Sequence, residues 1–209
     1  MSPERHFSDK CFEWRPKSVF IPSVNFSGFI ESTGTTVGAS TGAPVIQEIS
    51  TLGMAAVKMD TAADVIDHLM MLPRDLDLKK PIKFRVHWTS GSATTADTID
   101  WKVFVKGFVP DVTTIIEAAT ALTTVIAQDT VAGAYIYQTT AYGTLLGGTL
   151  AQNIEALAVS VEMDAFAAGL TEDKFLLGLE IVYSPKLLRG PDGMAHPATM
   201  PTTALGSQY

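Results

Sequence analysis

Two stretches of this chain alternate apolar and largely polar residues, over seven and eight positions. Ile82, Phe84, Val86 and Trp88 alternate with Lys83, Arg85 and His87. Ile99, Trp101, Val103 and Val105 alternate with Asp100, Lys102, Phe104 and Lys106. Period two collects one apolar face on an extended strand, whereas on a helix it would scatter the same residues around the axis. Both stretches are therefore read as half-buried β-strands, with Trp88 and Trp101 pointing inward. The Gly/Ser/Thr-rich residues 90–96 between them read as a turn, so the two strands are expected to be antiparallel neighbours.

The same reading extends along the chain. Leu157, Val159, Val161 and Met163 alternate with Ser160, Glu162 and Asp164. Leu177, Leu179, Ile181 and Tyr183 alternate with Gly178, Glu180 and Val182. Shorter strand candidates are Pro44 to Ile49, Gly53 to Met59, and Ala132 to Thr139 with Tyr135 and Tyr137. Residues 64–72 show no clear period, and Asp60 followed by Ala62 and Ala63 could open a helix there. Residues 113–127 are also open between helix and strand, their threonines favouring an extended chain. Seven to nine strands with no strong helix define an all-β antiparallel sandwich or jelly roll. The lack of βαβ alternation argues against a doubly wound sheet.

Both ends differ from this centre. Residues 1–43 combine bulky side chains without helical period and a Ser/Thr/Gly/Ala run from Glu31 to Gly42, which has linker composition. They read as an N-terminal arm and linker. Phe12, Trp14, Phe20, Phe26 and Phe29 are its candidate anchors, because aromatic side chains dominate interface energetics. The arm either docks on a neighbouring subunit or folds back on its own domain. Residues 44–185 form the sandwich domain. Residues 186–209 carry Pro191, Pro197 and Pro201 and are expected to be an irregular C-terminal tail.

Chemistry is sparse. His6, His68, His87 and His196 show no H-x-x-x-H spacing. His87, on the polar side of its strand, is expected to be solvated. Asp75 and Asp77 could turn two carboxylates one way and hold Ca²⁺, but no EF-hand spacing accompanies them, so loop carboxylates are the expectation. Neither a G-x-S-x-G elbow nor a P-loop is present. No catalytic residue, metal ligand or cofactor is assigned, and the chain is expected not to be an enzyme. A net charge of −7 disfavours nucleic acid. The single cysteine, Cys11, points to a reducing compartment. No apolar h-region follows Met1, and no stretch is apolar enough to cross a bilayer, so neither a signal peptide nor a membrane partner is expected. Only 18% of residues are charged, below the ~25% usual for soluble domains, which fits a surface partly covered by other protein and equally one merely rich in Thr and Ala.

The segments Leu72-Pro73-Arg74-Asp75-Leu76-Asp77, Pro81 to Trp88, Ile99 to Val103 and Phe175 to Tyr183 together resemble a pattern in tailed-phage virion proteins. The resemblance covers roughly residues 60–185 and rests on strand patterns. It implies a jelly-roll sandwich, often trimeric, of the cement, decoration or fibre-knob type. The function it implies is that of a capsid cement or decoration protein bridging capsid subunits through its arms. Its partners would be the major capsid protein and copies of itself as a homotrimer. It would be made in the host cytoplasm and sit on the capsid surface. The alternative is a tail or fibre protein that binds a host surface glycan, which would require an exposed aromatic or Asp/Asn patch.

Overall fold

The computed structural model describes residues 16–26, 28–30, 44–49, 52–62, 64–109, 127–150, 153–189 and 195–197. In chain order the strands are β1 (Lys17–Pro22), β2 (Gly28–Ile30), β3 (Val45–Ile49), β4 (Met54–Met59), β5 (Asp64–Met71), β6 (Ile82–Ser90) and β7 (Thr98–Phe108). They continue with β8 (Ala127–Thr130), β9 (Gln138–Thr139), β10 (Gly143–Leu145), β11 (Ala156–Phe166), β12 (Lys174–Tyr183), β13 (Leu187–Arg189) and β14 (Ala195–Pro197). No α-helix occurs among the described residues.

Strands β1 to β12 form two antiparallel sheets, and β13 and β14 pair apart from them. The first runs β10-β6-β12-β4-β3, with β1 paired to β12 and β9 paired to β6. The second runs β2-β5-β11-β7-β8. From β4 to β8 the chain visits the first, second, first, second and second sheets. It then returns to the first sheet at β9 and β10, to the second at β11 and to the first at β12. This winding, with β12 between β4 and β6 and β11 between β5 and β7, is that of a jelly roll, as the sequence pattern anticipates.

The inner faces pack as the alternation requires. Ile82, Phe84, Val86 and Trp88 from β6 meet Ile99, Trp101, Val103 and Val105 from β7 in one buried core. Leu157, Val159, Val161 and Met163 from β11 and Leu176, Leu179 and Ile181 from β12 join it. The expectation that β6 and β7 pair side by side is wrong. They lie in opposite sheets, and the 90–96 turn carries the chain across the sandwich. The inward direction of both tryptophans holds, because period two fixes which face is buried but not which strand lies alongside.

One open reading is settled and two further ones need correction. Residues 64–71 are strand β5 and carry no helix. Only Gln138–Thr139 is strand within the 132–139 candidate; Tyr135 lies in a turn with φ of 57°. On β12 the register shifts between Leu176 and Gly178, a one-residue bulge opposite Trp88 and His87. The bulge places Leu177 in a separate cluster with Ile49, Ala56 and Phe175, against which Tyr135 packs. Leu177 is thus not in phase with Leu179, because an inserted residue resets the alternation.

The domain limits also move. β1 pairs with β12 from Lys17↔Tyr183 to Pro22↔Gly178, and β2 pairs with β5. The sandwich therefore includes β1 and β2 from the expected arm, and the fold-back alternative applies to them. The pairing is tight: a Cβ on Gly178 would lie 2.5 Å from Phe20 Cζ and 2.6 Å from the Ile21 carbonyl oxygen. Only glycine lets the two backbones approach so closely here. At the other end, β13 and β14 form a small antiparallel pair within the expected irregular tail. Pro197 is tolerated there because it sits at the end of a two-stranded edge.

Candidate functional site

The anchors read from the sequence separate in space. Phe12 and Trp14 lie outside the described residues. Phe26 is 3% exposed and belongs to the core, with its ring 5.4 Å from that of His68. It cannot serve as a docking anchor without opening the domain. Phe29 lies on β2, its backbone opposite Ile66. Phe20 stays accessible, 49% exposed on β1.

Asp75 and Asp77 do not converge on a shared ion. Asp75 is buried and accepts hydrogen bonds from Lys17 Nζ at 2.5 Å and from the Tyr183 hydroxyl at 3.2 Å. Asp77 caps its own turn by accepting from the Lys79 N–H at 3.0 Å. Among the described residues no cluster of His, Cys, Asp and Glu suits a metal. Burial raises the Asp75 pKa, but the Lys17 bond and charge and the Tyr183 hydroxyl outweigh it, leaving the carboxyl below its ordinary value. Tyr183 moves the other way. Burial first, then the Asp75 charge, push its hydroxyl up to about 12.

The outward face of the second sheet divides into two halves. The registers Met71↔Ala156↔Phe108, Leu69↔Ala158↔Lys106 and Asp67↔Ser160↔Phe104 put these residues on one surface. Leu69 is 60% and Met71 69% exposed beside half-buried Ala158 and Ala156, and half-buried Lys106 and Phe108 lie across β11 from them. The other half is polar: Ser160 donates to Asp67, and Lys102 bonds Asp164 and approaches Glu162 at 3.8 Å. The sheet thus carries an apolar end next to an ion-paired end.

The outward face of the first sheet carries a different group. Glu180 on β12 and Arg85 on β6 are register partners and form an ion pair through Arg85 Nε. The same Glu180 oxygen accepts from the Tyr142 hydroxyl at 3.2 Å, and Arg85 Cζ lies 4.8 Å from the Tyr142 ring centre. His87, expected to be solvated, is only 5% exposed. Phe20 covers it edge-on at 5.0 Å between centroids, and Tyr137 lies 5.6 Å away and shares a hydrogen bond with Nδ1. The polar side of a strand is solvated only if nothing crosses it. Here β1 and the 131–142 loop do, and neither is visible in the alternation of β6 alone. Burial, then Arg85, lower the His87 pKa against the raising influence of Glu180, which favours a neutral ring. Its Nε2 is buried with no hydrogen-bond partner among the described residues, 3.5 Å from Glu180 Oε2.

No family model matches the chain, and no curated protein matches it. Among solved structures, one similar fold is the CBM36-1 domain of a multidomain xylanase from the hindgut metagenome of Trinervitermes trinervoides. It is 9% identical, with a TM-score of 0.42, over 79% of this chain and 96% of that one. Another is an exo-β-1,3-galactanase from Phanerochaete chrysosporium, 13% identical with a TM-score of 0.42 over 81% of this chain. The match spans only 29% of the galactanase. Likenesses this distant carry no argument about function.

Proposed function

We propose that this chain is a non-catalytic structural subunit of a tailed-phage virion, of the cement or decoration type. In this reading it associates with copies of itself as a trimer and with the major capsid protein. The observation that carries the proposal is the apolar end of the second sheet, where Leu69 and Met71 stand exposed beside Ala158 and Ala156, with Phe108 one strand further on. On a sheet with water on its outer side, that surface should be polar. Contiguous exposed apolar groups on a folded domain mark a contact surface.

The driving force would be burial of that surface. Each Leu or Met taken fully out of water contributes about 1.5–3 kcal/mol, against the cost of association. The neighbouring Lys102–Asp164 and Asp67–Ser160 pairs would form the polar rim that fixes orientation. The jelly roll and the strand-pattern resemblance to virion proteins support the same reading. The test is a Leu69→Asp/Met71→Asp double variant. It should remain folded, dissociate to monomer, and fail to bind capsids that the wild type decorates. Unchanged association and capsid occupancy would remove the proposal.

A further inference from the structure

We infer that the outward face of the first sheet binds a neutral saccharide chain, on a platform formed by Phe20, Tyr137 and Tyr142 around the Arg85–Glu180 pair. This goes beyond the assembly reading. It concerns the opposite sheet and stands or falls separately.

Three exposed rings surround a charged centre. Phe20, Tyr137 and Tyr142 are 49%, 59% and 43% exposed. All three are tied to the polar centre: Phe20 and Tyr137 against His87, and Tyr142 against both Arg85 and Glu180. The rings are therefore held in place and present fixed apolar faces, which limits the entropy lost on binding.

The chemistry between the rings narrows the ligand. The Arg85 and Glu180 charges cancel within one ion pair. An anionic ligand would meet the Glu180 carboxylate and a cationic one the Arg85 guanidinium, so neither sign gains. A sugar hydroxyl both donates and accepts. It can give its proton to the carboxylate while accepting from the guanidinium, whose bond to Glu180 uses Nε and leaves the Nη donors. The C–H face of a pyranose ring is apolar and suits the flat side of a Tyr or Phe. Apolar surface with a few converging polar groups is the usual make-up of a binding site.

The experiment is an array of neutral oligosaccharides of glucose, galactose, mannose and xylose alongside acidic counterparts, followed by titration calorimetry on the best neutral binder. The wild type should bind at least one neutral chain. Tyr137→Ala and Tyr142→Ala should each weaken it by about tenfold, the scale of one lost aromatic contact. Tyr142→Phe, which keeps the ring and removes the hydroxyl, should weaken it less. Both tyrosines are exposed, so thermal midpoints should stay near wild type and separate lost binding from lost fold. A blank neutral array, binding confined to acidic chains, or affinity unchanged in the Tyr137→Ala/Tyr142→Ala double variant would overturn the inference. The Leu69→Asp/Met71→Asp variant should keep its sugar binding, which distinguishes this site from the assembly surface.

Discussion

Trp88 and Trp101 meet across the sandwich with ring centroids 6.2 Å apart and planes inclined at 49°. One comes from each sheet, and both are fully buried. This tilted contact at the middle of the core joins the two alternating strands that define the fold. Either Trp→Ala substitution should cost about 3–5 kcal/mol, through lost burial and an unfilled cavity. A double-mutant cycle by urea denaturation should show a favourable coupling of about 0.5–1.5 kcal/mol. Zero coupling would mean the two rings stabilise their own sheets independently.

Gly178→Ala should loosen β1. The new Cβ would meet both the Phe20 ring and the Ile21 backbone, and the backbone cannot swing away as a side chain can. Limited proteolysis should then cut near Lys17 in the variant while the wild type is protected there. Equal protection in both proteins would show that β1 is not held against β12 as described.

Phe20 and Phe26 should behave oppositely, although both read as anchors in the sequence. Phe26→Ala should destabilise the domain by about 3–5 kcal/mol. Phe20→Ala, at a half-exposed position, should cost about 1 kcal/mol or less. Chemical denaturation of the two variants makes the comparison directly.

The buried Asp75 and Tyr183, with Lys17 beside them, give stability a dependence at both pH extremes. The Asp75 pKa is lowered on folding, so its contribution is full above the ordinary value of 3.8 and is lost as pH falls through the folded value. The Tyr183 pKa is raised from 10.0 to about 12, so its contribution is full below pH 10 and is lost as pH rises towards 12. In an absorbance titration Tyr183 should ionise late, near pH 12. Asp75→Asn should bring that step to lower pH by removing the neighbouring negative charge. A Tyr183 step at the ordinary value in the wild type would contradict the contact.

The sequence made the sandwich legible because its core strands are half-buried, and half-burial leaves a period of two. Ile82 to Trp88, Ile99 to Val105 and Leu157 to Met163 all kept their predicted inward faces. Pairing was not legible, because β6 and β7 look the same whether they lie side by side or face each other. The bulge at Leu177 was hidden for a related reason. Phe175, Leu176 and Leu177 form a continuous apolar run, which is also the mark of a strand covered on both faces. The platform around Glu180 was missed because its members come from β1, β6, β12 and the 131–142 loop, and only folding brings them together. Leu69 and Met71 were passed over because residues 64–72 show no clear period. That irregularity arises because an outward position of β5 carries apolar side chains where a solvent-facing strand would carry polar ones.

The absolute mass of the purified protein in solution, by light scattering across a concentration series, tests the central claim most directly. The account predicts a species near three times the 22.4 kDa chain mass, and a single chain mass for the Leu69→Asp/Met71→Asp variant. A wild-type protein that stays at 22.4 kDa at every concentration would contradict self-association through the second sheet.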